Sequence, residues 1–151
     1  MRELISRIYE SLFYNSGYKL IFDSLYDEGG IMNGYNTMLL IFLITPIVVF
    51  SYFYFIYKKP LATFMTWMYW LIGNFILVFG ITYFVIRQRL FSTTNNELLN
   101  AYTDVTTGYA SYANQFLIYV SLYNALLSLI VAFLFSIIAK HFSKQFIHLP
   151  F

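Results

Sequence analysis

Residues Phe116–Ala139, FLIYVSLYNALLSLIVAFLFSIIA, hold 24 positions without a single charged side chain. A helix of that length extends about 36 Å, enough to cross a hydrocarbon layer about 30 Å thick with some tilt. The stretch is not uniformly apolar. Ser121, Asn124, Ala125, Ser128, Ala132 and Ser136 recur at three- and four-residue steps, which gathers them on one helical face. Leu, Ile, Phe and Val fill the other faces. This pattern reads as a membrane helix that sets one small, mildly polar face against other helices.

Two further apolar runs precede it, about 36–57 and 61–86, and the expected fold is an all-α integral membrane protein. It has three transmembrane helices plus an N-terminal amphipathic helix. The membrane domain covers 36–139, with a polar loop at 87–114 and a basic tail at 140–151. Composition agrees with this reading, since 60% of the 151 residues are hydrophobic and 11% charged, where soluble domains carry about 25% charged residues. The chain has no cysteine, so disulfides and thiolate chemistry are excluded. A net charge of +2 without a basic stripe excludes a nucleic-acid partner. The expected partners are the lipid bilayer and other membrane-protein subunits.

At the N-terminus, 1–28 lacks the uninterrupted apolar core and the cleavage site of a secretory signal. Leu4, Ile8 and Leu12, beside Ile5, recur every four residues among Arg2, Glu3, Arg7 and Glu10, the pattern of an amphipathic helix. Two readings stay open: a helix lying in the membrane interface or on a partner, and one packing on the protein's own spans. Gly29, Gly30, Asn33 and Gly34 then mark a turn.

The first span carries Thr45-Pro46 near its middle, where proline removes a backbone hydrogen bond and kinks the helix. A static kink at Pro46 is the simpler reading, a gating hinge the sharper one. Few small residues interrupt this span, which reads as the most lipid-exposed of the three. The second follows after a short turn, so the two form an antiparallel hairpin. Thr66, Gly73 and Gly80 are seven apart, which predicts a groove for close helix approach, with Asn74 beside it. In the polar loop, Glu97-Leu98-Leu99 and Tyr102 suggest a short helix.

Lys58, Lys59, Lys140 and Lys144 flank the spans on one side, against Lys19, Arg87 and Arg89 on the other. Nearby lysine and arginine mark the cytoplasmic side, which gives an outside N-terminus and a cytoplasmic C-terminus, in a bacterial inner membrane. No span contains Asp, Glu, Lys, Arg or His, and such residues mark proton relays, coupled transport and intramembrane catalysis. The chain is therefore expected to be no enzyme, with no catalytic residue, cofactor or metal. His141 and His148 lack the further ligands a metal pair needs, and Glu97 and Asp104 read as solvated loop charges.

The function expected is a small non-enzymatic subunit that anchors or scaffolds a larger assembly, such as an envelope secretion or transport machine. The alternatives are a homo-oligomeric channel or holin-like pore lined by Ser121, Asn124 and Ser128, and a membrane-bound inhibitor or immunity protein.

Overall fold

The computed structural model describes residues 7–11, 18–27, 33–57, 64–92 and 96–142, and among these it is almost entirely helical, with no strand. Residues 7–11 form a helical segment. Helix α1 covers Lys19–Asp27 and α2 Gly34–Ser51, the latter continued by a π-helical turn at Tyr52–Ile56. Helix α3 spans Phe64–Phe91 and α4 spans Asn96–Thr103. A 3₁₀ turn at Val105–Thr107 leads into α5, Tyr109–Phe142.

Three of these, Gly34–Ile56, Phe64–Phe91 and Tyr109–Phe142, are long and apolar enough to cross a membrane. They form a bundle in which α3 against α5 is the most extensive contact, followed by α2 against α5. A third of the most apolar stretch of α5 is buried (33%), against 22% for each of the other two. The first span is thus no more exposed than the second.

What the bundle shows to its surroundings is apolar over most of its height. Exposed positions on α3 run Met65, Tyr69, Ile72, Ile76, Leu77 and Phe84 before Arg87 and Gln88 appear. On α5, exposed Asn114 and Gln115 give way to Ile118, Leu122, Leu126, Ile130 and Leu134. At 34 residues α5 is about 51 Å long, well beyond one hydrocarbon thickness. Its first turns project past the apolar belt.

The projecting part belongs to a cap. Tyr18, Ile21, Phe22 and Leu25 of the N-terminal region are buried with Ile86 and Leu90 of α3, Leu98 of α4, and Ala113, Phe116 and Leu117 of α5. Phe116 meets both Tyr18 and Phe22 at ring separations of 5.3 Å. The apolar face of α1 is therefore taken up by the chain's own spans, whereas Ile8, of the amphipathic stripe expected at the N-terminus, is exposed and Tyr9 beside it is buried instead. Leu4, Ile5 and Leu12 lie outside the described residues.

Close approach fixes the start of α2. A Cβ at Gly34 would run into the Leu25 side chain of α1, and Asn33 caps the helix by accepting from the Asn36 amide at 2.9 Å. The polar connection 87–114 is shorter than expected, because α3 continues to Phe91 and α5 begins at Tyr109. The corner before α5 is made by Gly108 at φ 64°, in the left-handed region that glycine reaches without a Cβ penalty.

Candidate functional site

The small face of α5 is wholly internal. Ser121, Asn124, Ala125, Ser128, Ala132 and Ser136 are all buried. Asn124, Ser128 and Ser136 of this face become rungs between helices. The Asn124 side-chain nitrogen donates to the Met38 carbonyl of α2 at 3.1 Å and to Thr82 Oγ1 of α3 at 2.9 Å. Its Oδ1 accepts the Tyr9 hydroxyl at 2.8 Å, so one side chain joins four segments of the chain. Further along α5, Asn74 Nδ2 donates to Ser128 Oγ and Trp67 Nε1 to Ser136 Oγ, each at 3.2 Å.

Ser128 and Ser136 give their own protons to the carbonyls of Ala125 and Ala132, both at 2.7 Å. A hydroxyl has one proton, so each serine oxygen is left to accept from α3. That fixes the Asn74 amide, with nitrogen towards Ser128 and oxygen turned away from it. Asn74 Oδ1 is buried without a hydrogen-bond partner, as is Ser121 Oγ. An unpaired buried carbonyl of this kind costs about 1–3 kcal/mol.

The junction at Asn124 is closed from one end by the N-terminal segment. Tyr9 is buried, its ring 6.0 Å from Tyr35 and 5.8 Å from Tyr123. The Tyr35 hydroxyl donates to Glu10 at 3.0 Å, a second tie between this segment and α2. Burial, with the Tyr123 phenol adding to it, pushes the Tyr9 hydroxyl well above the ordinary tyrosine range. It therefore stays protonated and donating.

At the opposite end the rungs give way to an aromatic cluster. Phe50, Phe53, Tyr54 and Trp67 are buried with Ala132 and Ala139. The π turn brings Tyr52, Phe53 and Tyr57 around Trp70, at ring separations of 5.8, 5.6 and 5.5 Å. Pro46 is buried in α2, which stays helical through it to Ser51.

The glycines of α3 lie elsewhere. Thr66 is half-buried, Gly73 exposed and Gly80 half-buried, and a Cβ at either glycine would meet nothing within 4 Å. The face of α3 that is buried carries Trp67, Asn74, Val78, Thr82, Ile86 and Leu90 instead. The glycine groove expected from sequence meets no neighbouring helix at its two glycines. Gly73 opens instead onto a cleft of about 380 Å³ between α2 and α3, lined by Val49, Tyr69, Trp70, Gly73, Asn74 and Leu77.

The charged candidates sit apart from both features. Lys140 is half-buried in the last turn of α5, while Lys58, Lys59, Lys144 and His148 lie outside the described residues. His141, Glu97 and Asp104 are exposed. Asp104 accepts the Thr106 amide at 2.9 Å and the Thr106 hydroxyl. These bonds hold its carboxyl below the usual carboxylate range.

Sequence reasoning missed Tyr9, Thr82 and Trp67 as partners of the α5 face. Trp67, Asn74 and Thr82 follow one another at steps of seven and eight, and such a series of hydrogen-bonding side chains in an apolar span was the available signal. No protein-family model, curated protein or solved structure matches the chain.

Proposed function

We propose that the chain is an integral membrane subunit without enzymatic activity, which scaffolds a larger membrane assembly such as an envelope secretion or transport machine. The observation that supports this reading is the recess beside Gly73, open on a surface that is otherwise a belt of apolar side chains. The polar residues of the small face of α5 are buried inside the subunit. Ser121, Asn124 and Ser128, the residues a pore reading needs as its lining, are each 0% exposed. What remains for recognition is the outside of the bundle.

The test is recovery of the tagged full chain at native expression level in mild detergent. A stoichiometric membrane partner is the expected result. A monodisperse chain without a partner sinks the scaffold reading, and conductance in liposomes replaces it with a pore.

Within this reading the lysine-flanked end is cytoplasmic and the capped end faces outward. The end of α2, the start of α3 and the end of α5 meet in one aromatic cluster, consistent with their sharing a membrane side. Because the chain has no cysteine, a thiol at Thr106 is expected to label from outside intact cells and one at His141 only after permeabilisation. The reverse pattern overturns the orientation and leaves the helix bundle intact.

A further inference from the structure

The cleft at Gly73 combines three properties. It is open to the exterior at a glycine whose missing side chain leaves free space. It is walled by apolar and aromatic groups, Val49, Tyr69, Trp70 and Leu77. It also includes Asn74, 1% exposed, whose Oδ1 has no partner because its nitrogen is committed to Ser128.

Height decides what can complete it. Asn74 lies about 15 Å along α3 from Phe64 and about 20 Å from Arg87, where exposed polar residues begin. If α3 crosses a bilayer, the orphan acceptor is near the middle of the hydrocarbon. Acyl chains carry no N–H or O–H, and head groups and water stay near the boundaries. A donor at that depth comes from another polypeptide helix. A second copy of this chain is poorly equipped, since at mid-height it exposes Ile44, Ile47 and Val48 on α2, and Leu126 and Ile130 on α5, and the exposed Tyr69 hydroxyl of α3 belongs to a residue about 7.5 Å along the helix from Asn74.

We propose that this cleft is the docking site for a transmembrane helix of a different polypeptide. That helix carries a Ser, Thr, Asn, Gln or Trp side chain at mid-height, which donates to Asn74 Oδ1 as the buried amide shifts towards the cleft. Gly73 supplies the close approach that such a contact needs in lipid. The inference rests on the scaffold reading and names the site and the chemistry of its partner.

The test places a photoreactive benzoylphenylalanine at Leu77, on the rim of the cleft, or at Ile130 on the exposed side of α5, in the full chain in its native membrane. The expected result is a discrete adduct with another polypeptide from Leu77 and none from Ile130. Sequencing should place it in an apolar segment holding one of the named donors. Gly73→Leu, which fills the cleft from α3, and Val49→Phe, which narrows it from α2, should each abolish the adduct while the subunit stays monodisperse.

An adduct between two copies, equal adducts from both positions, or a crosslinked segment without a donor overturns the proposal. So does an adduct that survives either cleft-filling variant in folded protein, and so does labelling of lipid alone. A stoichiometric partner that crosslinks elsewhere removes this site and leaves the scaffold reading standing. Absence of any partner removes both.

Discussion

Helices α3 and α5 both carry small residues at regular helical steps, yet the two series end in opposite surroundings. Ala125, Ser128, Ala132 and Ser136 are buried against the other spans, while Gly73 is exposed and opens on a cleft. The difference lies in what accompanies the small residues. On α5 they alternate with side chains that find partners on α2 and α3. On α3 the hydrogen-bonding groups, Trp67, Asn74 and Thr82, stand to one side of the glycines, and the helix turns that side inward. In a solvent without a hydrophobic drive between helices, small residues permit close packing and hydrogen bonds help select which face packs.

The largest effect expected from breaking this arrangement is at Asn124. Replacing it by Leu removes three hydrogen bonds between segments far apart in sequence. Interhelical bonds in membrane proteins contribute about 0.6–1.7 kcal/mol each, so the loss should be about 2–5 kcal/mol. Denaturation by SDS in mixed micelles measures it against Leu126→Ala, which trims an exposed side chain on the same helix. Equal sensitivity of the two variants would mean that the junction does not organise the bundle.

How much of this was legible follows the same division. The three spans and the α5 face were readable because one helix carries both the apolar length and the three-and-four spacing that defines a face. The packing face of α3 was not, because glycines seven apart describe a groove without saying whether a neighbour fills it. Nothing local connects Tyr9 to Asn124, which stand 115 positions apart. The cap was legible in part: the short helix suggested by Glu97-Leu98-Leu99 and Tyr102 is there as α4. The burial of Leu98 and Ala113 together with Ile21, Phe22 and Leu25 of α1 had no local signal in the sequence.

A paired substitution tests the two small-residue series directly. Ala132 is 0% exposed within the cluster of Phe50, Phe53, Tyr54 and Trp67, so Ala132→Leu forces added volume into a filled space at a cost of about 1–3 kcal/mol. Gly73→Leu adds more atoms where nothing lies within 4 Å and should leave intrinsic stability nearly unchanged. Thermal unfolding in detergent compares them. If Gly73→Leu is the more damaging, the contrast between the buried and the open series is wrong.

The smallest effect lies outside the spans, where hydrogen bonds compete with water. Asp104 is exposed, and its carboxylate accepts the amide and hydroxyl of Thr106 at the entrance to the 3₁₀ turn before α5. The Thr106 bonds lower its pKa, and the slight burial of the carboxyl opposes them only in part. A carboxyl whose folded pKa is depressed stabilises the fold fully above its unfolded pKa and loses that contribution as pH falls through the folded value. Acidification below the ordinary aspartate range should therefore loosen this turn and leave the bundle intact. Following the Thr106 amide proton by NMR through an acid titration should give a midpoint below that of a free aspartate, and Asp104→Ala should abolish the transition. A midpoint at the ordinary value would show that water has displaced the Thr106 contacts. Loss of the Asn124 junction over the same pH range would show that the turn and the bundle are coupled, although no titrating group is among the direct hydrogen-bond partners of Asn124 at acid pH.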